Sequence, residues 1–434
     1  MLSPLRNAAY RRLFGAQVAA LLGTGLATVA LGLLAHDLAG AQAGEILGAI
    51  FAIKMIAYVG VAPLASAAAA RAPRKTLLIA LDVVRACVAG ALPFVSEPWH
   101  IYALMAVLYA ASAAFTPAFQ AMIPDIFPDE AEYTKALSLS RLASDLESVA
   151  SPVIAAALLT VLSFNDLFAG TAVGFVLSAA LVLAAALPVT RKIAPRPFLR
   201  RLMAGLNLFA HTPRLRALFA ASLATSAAGA MAFVNTVVLV QSNFQLTEQD
   251  TALALAAFGL GSMAAALTLP PLLERFADRS VIIAGGGGSA IVLAAGSLWA
   301  DTYLAVLVLW VMLGIGYSLT LTPVGRVLRR SAHGDERPAL FAAQFALSHA
   351  CWLIAYPLAG FVSARFGIDA AFISLAGLCF GGTVLTAMLW PSHEPSEIAH
   401  AHADLESDHP HLAASPDPHA HEYIIDDLHP RWPR

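Results

Sequence analysis

The stretch VTRKIAPRPFLRRLMAGLNLFAHTPR, residues 189–214, is polar and basic in a chain that is otherwise strongly apolar. Of the 434 residues, 59% are hydrophobic and 12% are charged, whereas soluble domains carry about 25% charged residues. A water-soluble fold of this length cannot bury so much apolar surface. We therefore predict a membrane protein in which residues 189–214 link two apolar halves.

Apolar segments long enough to cross a bilayer lie on both sides of this linker, since a transmembrane helix needs roughly 20 mostly apolar residues. They are 13–36, 45–70, 76–95, 99–122, 138–163 and 167–188 before the linker, and 215–240, 250–273, 280–300, 302–325, 338–364 and 369–390 after it. The sequence predicts an all-α membrane protein of twelve transmembrane helices in two six-helix halves, residues 1–188 and 215–390. A disordered, His-rich cytoplasmic tail, residues 391–434, is predicted to follow them.

Lys and Arg residues concentrate on the side of the predicted membrane that carries the linker. They are Arg6, Arg11, Arg12, Arg71, Arg74, Lys75, the seven basic residues of 189–216, Arg275, Arg279, Arg326, Arg329, Arg330 and Arg337. Because cytoplasmic loops are enriched in these residues, we predict that both termini are cytoplasmic. The net charge of −2 gives no basic surface for nucleic acid, so no nucleic-acid partner is predicted.

Two segments resemble the major facilitator superfamily. PLASAAAARAPRKTLLIALDVVRA, residues 63–86, is similar to the signature loop of that family, with its basic turn at Arg71, Arg74 and Lys75, although Ala70 occupies the acidic position. AFTPAFQAMIPDIFPDEAEYTKALSLSRLASDLESVASP, residues 114–152, resembles bacterial exporters of the third drug:proton antiporter group. The resemblance implies a major facilitator fold, alternating access, proton antiport and a monomer in the bacterial inner membrane.

Charged residues within membrane helices are costly and are therefore functional candidates. Asp145, Glu147 and Asp37 are the predicted proton carriers. Arg141 lies four residues before Asp145, so the two can pair across one helical turn, either for proton coupling or as a structural ion pair. Glu147 is about 200° further round the helix than Asp145 and is expected to meet a different helix.

The other predicted charge partners are Lys54, Asp82 and Arg85. Asp82 and Arg85 are three residues apart, and we interpret them as a structural pair that ties the third span to its neighbours. Lys54 is the most isolated charge: it either pairs with Asp37 or Asp145, reaches towards the membrane surface, or binds an anion.

Polar residues are predicted to line a central cavity, because the resemblance assigns that position to spans 1, 4, 7 and 10. The candidates, with two from span 11, are Tyr109, Ser112, Thr116, Gln120, Asn235, Tyr317, Thr320, Gln344 and His349. Interhelical hydrogen bonding is the alternative interpretation of the polar stripe in span 4. His349 could relay protons or bind a metal beside Cys351, or could be a packing residue with a neutral ring.

The tail contains eight of the thirteen histidines. Six of them form three His-x-His pairs, namely His400 with His402, His409 with His411, and His419 with His421. Imidazole binds nickel, copper and zinc, so these histidines are predicted metal ligands, similar to the His-rich tails of nickel-resistance exporters in the same superfamily. The alternative is a disordered tail whose histidines only keep it soluble.

These patterns predict a secondary transporter, not an enzyme, that exports a small solute by proton antiport across the lipid bilayer. A divalent transition metal, nickel or cobalt, is the leading substrate, with export of a drug, siderophore or other organic solute as the alternative. A metal-responsive membrane sensor is a further alternative. No catalytic residue and no cofactor is predicted, and a transition-metal ion enters only as substrate or tail ligand.

Overall fold

The computed structural model describes residues 2–39, 43–69, 73–187, 198–332, 336–392, 398–400, 419–421, 423–425, 428–429 and 432. The helices of the N-terminal half are α1 Ala8–Ala39, α2 Ala43–Ala69, α3 Arg74–Ala91, α4 Pro98–Gln120, the short α5 Ile123–Ile126, α6 Glu130–Leu158 and α7 Phe164–Ala184. Those of the C-terminal half are α9 Pro213–Val237, α10 Glu248–Arg275, α11 Asp278–Trp299, α12 Tyr303–Leu321, the short α13 Val324–Arg330, α14 Arg337–Phe366 and α15 Ile368–Leu389.

The predicted all-α fold in two halves is confirmed, and each of the twelve predicted spans coincides with one long helix. Within the described residues, eleven helices are long and apolar enough to cross a membrane. The exception is α6, which is 29 residues long but carries Arg141, Asp145 and Glu147. Since α6 lies between α4 and α7 in the sequence, it must still cross the bundle from one end to the other to connect them.

Residues 198–211 of the linker form a further helix, α8 Phe198–His211. Leu208 and Phe209 of α8 are buried against the first turns of α9 and α14. We call this end of the bundle, where α1, α9 and α14 begin and α15 ends, the linker end. Large apolar side chains such as Phe94, Ile56 and Met388 are exposed on the outside of the bundle, as expected for helices that face lipid.

Glycines allow the closest helix crossings. A Cβ atom at Gly314 of α12 would lie 2.0 Å from the Phe258 carbonyl oxygen, and one at Gly261 of α10 would lie 2.0 Å from the Val311 carbonyl oxygen. The two backbones therefore pack directly against each other, the arrangement that small residues permit in membrane helices. Gly261 of GLGSMA, residues 259–264, serves this packing.

Replacing Gly314 with alanine should destabilise the fold by about 1–3 kcal/mol, because the added methyl group forces the α10 and α12 backbones apart. Reversible denaturation in mixed micelles measures the change. Gly287→Ala is the matched control, since a Cβ atom there meets nothing within 4 Å. Equal effects of the two substitutions would contradict close backbone packing at Gly314.

The structure describes two short strands and a buried segment within the tail. Strand β1, Ile398–His400, pairs antiparallel with β2, His419–His421, and the register sets His400 opposite His419. Tyr423 and Ile425 are buried against the linker end of the C-terminal half, and the Trp432 ring lies 5.4 Å from the Arg214 guanidinium carbon. These apolar residues follow the histidine pairs and supply a hydrophobic anchor that the polar composition of the tail conceals. Of the predicted metal ligands, His402, His409 and His411 lie outside the described residues.

Candidate functional site

Charged and aromatic side chains from both halves meet at mid-depth in the bundle. We define this mid-depth cluster as Lys54 and Tyr58 of α2, Tyr109 of α4, Arg141, Asp145 and Glu147 of α6, Ser262 of α10, Tyr317 of α12, and Phe345 and His349 of α14. Most of these residues lie in the central part of their helices, while Tyr317 is nearer the end of α12 and Phe345 nearer the start of α14.

Arg141 and Asp145 form the predicted ion pair and also join the two halves. Arg141 Nε donates to Asp145 Oδ2 at 3.2 Å, and a terminal guanidinium nitrogen donates to Oδ1. The same Nε lies 3.1 Å from Ser262 Oγ, and the guanidinium carbon lies 4.9 Å from the Tyr317 ring centroid. Asp145 is only 4% exposed. The pair therefore holds α6 of one half against α10 and α12 of the other.

Glu147 lies on another side of α6, against α1. Its Oε1 accepts a hydrogen bond from Ser151 Oγ at 3.1 Å. A Cβ atom at Gly25 would lie 2.4 Å from Oε1, so only glycine leaves room on α1 for this carboxylate. Lys54 is the cation whose field acts on Glu147. The two acids of α6 thus occupy different surroundings, one between the halves and one beside α1 and Lys54.

Lys54 is held between two tyrosine rings. Its Nζ lies 5.6 Å from the Tyr58 centroid and 5.8 Å from the Tyr109 centroid. Among the residues that the structure describes, Lys54 has no hydrogen-bond acceptor and no ion pair. The predicted partner Asp145 is paired with Arg141 instead, and the side chain of Asp37, at the end of α1, lies outside the described residues.

Asp82 and Arg85 lie inside the N-terminal half, away from the mid-depth cluster. They pair with each other, and Ser178 of α7 donates to Asp82 Oδ2 at 2.8 Å. The Arg85 guanidinium carbon is 4.0 Å from the Phe115 centroid and 4.5 Å from the Phe175 centroid. This arrangement ties α3 to α4 and α7 and supports the structural interpretation of the pair.

His349 packs in an aromatic group that bridges the halves. Its ring centroid lies 4.7 Å from that of Tyr58 and 4.2 Å from that of Phe345, and its Nδ1 donates to the Phe345 carbonyl oxygen at 2.7 Å. Cys351 lies instead against the Phe219 carbonyl oxygen of α9. No group of three or more His, Cys, Asp or Glu residues suited to a metal occurs in the described part of the chain.

The remaining cavity candidates do not join the cluster. Asn235 Nδ2 donates to the Ala359 carbonyl oxygen at 3.4 Å, and Gln344 Nε2 donates to Ser222 Oγ at 3.4 Å. Thr320 donates to the Gly316 carbonyl oxygen at 2.9 Å within α12. Ser112 and Thr116 are half-buried and Gln120 is exposed. Asn235 and Gln344 thus make interhelical contacts.

Sequence reasoning missed Tyr58, Phe345, Ser262 and Gly25. Tyr58 follows Lys54 by four residues, a spacing that places both on one helix face. Ser262 lies within GLGSMA, residues 259–264, and a single serine among small residues is not distinguished from the other hydroxyl residues of the membrane helices. Gly25 forms a Gly-x-Gly pair with Gly23, which is typical of closely packed membrane helices. Its contact with Glu147, and the contact of Phe345 with Tyr58, depend on which helices become neighbours.

At the linker end, loops of the two halves are joined by ion pairs. Asp125 accepts from Arg74 at 2.7 Å and from Arg337 of the other half at 3.0 Å. Arg326 of α13 contacts Glu130 at 3.1 Å and Thr134 Oγ1 at 2.6 Å. The hydrogen bonds and ion pairs described between the halves lie at this end or at mid-depth. The bundle is therefore closed at the linker end.

The model of the Major Facilitator Superfamily matches residues 13–239 and 218–414. The chain therefore belongs to the Major Facilitator Superfamily, and it is a multi-pass membrane protein and a secondary transporter of that type. An uncharacterized MFS-type transporter, YfiS of Bacillus subtilis (strain 168), is 28% identical over 120 residues, which is 28% of this chain and 28% of that protein. The matched segment thus spans little more than a quarter of the relative.

Solved structures share the fold. The human organic anion transporter MFSD10 (TETRAN) superposes with a TM-score of 0.75 at 12% identity, over 87% of this chain and 99% of the other. A bacterial homologue of the iron transporter ferroportin in an outward-facing state superposes with a TM-score of 0.71 at 14% identity, over 88% of this chain and 98% of the other. The transporter FucP in the outward conformation superposes with a TM-score of 0.68 at 14% identity, over 88% of this chain and 99% of the other. At these identities the likeness concerns the fold alone.

Proposed function

We propose that this chain exports an organic solute from the cytoplasm by proton antiport through alternating access. The observation that carries the proposal is the mid-depth cluster, which lies between the halves and combines ionisable groups with aromatic rings. Substrate sites of secondary transporters lie near the bilayer midplane at the interface of such repeats. Ligand pockets for organic molecules are lined mainly by apolar and aromatic side chains with a few polar groups.

The charges of the cluster favour an organic solute over a bare metal ion. Lys54 and Arg141 match Glu147 and Asp145 in number, so the described cluster is neutral overall. A divalent cation is bound by carboxylates and imidazoles that are free to ligate it. Here Asp145 is held by Arg141, and Glu147 lies in the field of Lys54.

Asp145 and Glu147 are the proposed proton carriers. Protonation of Asp145 would neutralise the partner of Arg141 and weaken the contacts of Arg141 with Ser262 and Tyr317 across the halves. The linker end is the cytoplasmic end in this proposal. Its ion pairs then correspond to a state closed to the cytoplasm, like the outward states in which the FucP and ferroportin-homologue structures were solved.

Export of nickel or cobalt is the second candidate, because of the tail. The antiparallel strands bring His400 and His419, which are distant in sequence, to facing register positions. One fold neighbour is a homologue of an iron transporter. Cytosolic metal captured by the tail would then be handed to the membrane domain.

Transport into inverted membrane vesicles separates the candidates. With an imposed proton gradient, we expect accumulation of an organic solute from a panel of dyes, drugs and siderophores, with release of protons from the vesicles and no accumulation of nickel. The matched control replaces His400, His402, His409, His411, His419 and His421 with asparagine, and it should transport the organic solute like the wild type. Gradient-driven nickel uptake that this variant lacks would overturn the proposal in favour of the metal.

A further inference from the structure

We infer that Gly25 of α1 and Ser151 of α6 are positioning residues that hold the carboxyl group of Glu147 for proton binding. Gly25 leaves the space for this group, and Ser151 donates a hydrogen bond to it. The inference rests on the proposed function, in which Glu147 is one of the two proton carriers. Since α1 and α6 both belong to the N-terminal half, the contacts that hold Glu147 form within one half.

The first observation is the space that Gly25 leaves beside Glu147. Gly25 is buried where α1 passes α6. A Cβ atom at this position would overlap Oε1 of Glu147 and also Oγ and Cβ of Ser151. Any other residue at Gly25 therefore displaces the carboxyl group or pushes the two helices apart.

Two neighbouring contacts keep α1 from moving away. The carbonyl oxygen of Gly23 accepts a hydrogen bond from Thr171 Oγ1 of α7 at 2.9 Å. Nearer the linker end, Ser140 Oγ of α6 donates to Gln17 Oε1 of α1 at 2.9 Å. A separation of α1 from α6 would break these hydrogen bonds. A methyl group added to α1 at this level is therefore accommodated by displacement of the Glu147 carboxyl group.

The second observation is the hydrogen bond from Ser151. Its Oγ donates to Glu147 Oε1 at 3.1 Å, and the residue is only 2% exposed. Residues four apart lie on the same face of a helix, so the helix itself places the hydroxyl group beside the carboxylate. A hydroxyl group can donate to a carboxylate and equally to the carbonyl oxygen of the protonated acid. Ser151 can therefore hold the group in both protonation states.

The charged neighbours of Glu147 do not hold it in place. Arg141 pairs with Asp145, on another side of α6. Lys54 of α2 is a nearby cation, but it forms no ion pair with Glu147 in the part of the chain that the structure describes. Among the described residues, Ser151 is thus the hydrogen-bond donor of Glu147.

The test is infrared difference spectroscopy of the purified full-length chain in nanodiscs, recorded between high and low pH without any solute. A protonated carboxylic acid has a C=O stretching band that a carboxylate lacks, and the band that Glu147→Gln removes belongs to Glu147. A hydrogen bond to the C=O group lowers the frequency of this band. We expect Ser151→Ala and Gly25→Ala each to shift the band to higher frequency, because the first removes the donor and the second displaces the carboxyl group from it.

Matched controls exist on both helices. Ser144→Ala is the control for Ser151→Ala, because Ser144 Oγ donates to the Ser140 carbonyl oxygen of its own helix at 3.2 Å. Gly32→Ala is the control for Gly25→Ala, since a Cβ atom there meets nothing within 4 Å. Both controls should leave the band unchanged. The double variant of Gly25→Ala with Ser151→Ala should shift it no further than Ser151→Ala alone, because both changes remove the same hydrogen bond.

An unshifted band in Ser151→Ala would overturn the inference, and this variant introduces no overlap that could unfold the protein. The proposed function would in that case keep Glu147 as a proton carrier. Absence of any band that Glu147→Gln removes would overturn both the inference and the role of Glu147 in proton coupling, and Asp145 would remain as the proposed carrier.

Discussion

Asp145→Asn should lower proton-driven transport by about 100-fold and also destabilise the protein, because it leaves the half-buried Arg141 guanidinium without its carboxylate. Breaking a buried ion pair by removing one partner costs about 3–5 kcal/mol. Arg141 also contacts Ser262 and Tyr317 of the other half, so the change acts on the surface that must move during transport. Gradient-driven uptake into inverted vesicles and denaturation in mixed micelles measure the two effects.

The double variant Arg141→Gln with Asp145→Asn separates folding from coupling. It removes both charges while keeping polar side chains of similar size, so stability should return most of the way to that of the wild type. Transport should stay low, because the variant has no group at this position that binds and releases a proton. A double variant with wild-type proton-driven transport would show that the pair is structural, and Glu147 would remain as the proposed carrier.

Asp82→Asn should destabilise the protein by about 3–5 kcal/mol without a direct effect on coupling. Asp82 is 0% exposed, and Arg85 lies between the rings of Phe115 and Phe175 within one half. Removal of the carboxylate leaves the buried guanidinium of Arg85 without its ion-pair partner. Two quantities are measured. The first is the free energy of unfolding in mixed micelles, and the second is the transport rate divided by the fraction of folded protein.

The double variant Asp82→Leu with Arg85→Met should recover both stability and transport, because apolar residues of similar volume replace a buried pair at little cost. This recovery distinguishes Asp82 and Arg85 from Arg141 and Asp145, whose double variant recovers stability alone. Asp166→Ala is a control for the loss of one carboxylate, since Asp166 is an exposed residue that caps α7. Loss of transport in the double variant, at full stability, would assign Asp82 and Arg85 to the transport cycle.

Much of the fold could be predicted because its causes are local. The length of each apolar run specifies a spanning helix, and the basic segment 189–214 divides twelve of them into two sets of six. The pairs Arg141 with Asp145 and Asp82 with Arg85 were predicted because residues three or four apart share a helix face. Asp145 and Glu147 face different sides of α6 for the same reason, since residues two apart in a helix point in different directions.

The site could be predicted only in part. Lys54, Asp145 and Glu147 were recognised because charge inside a membrane helix is costly, but their contacts could not be derived. In a soluble helix the apolar stripe shows which face is buried, whereas these helices are apolar on lipid-facing and protein-facing sides alike. The rotation of each helix about its axis therefore cannot be predicted from the distribution of apolar residues along the sequence.

The sequence by itself thus determined the class of protein, the number of long apolar spans, the division into halves and the identity of the charges inside them, because each depends on spacing or composition along one segment. The tertiary structure alone decided that Arg141 contacts Ser262, that Gly25 makes room for Glu147, that Lys54 has no described partner and that Tyr423 anchors the tail. Each of these contacts joins segments far apart in the chain, and such contacts depend on which helices pack together and at what rotation.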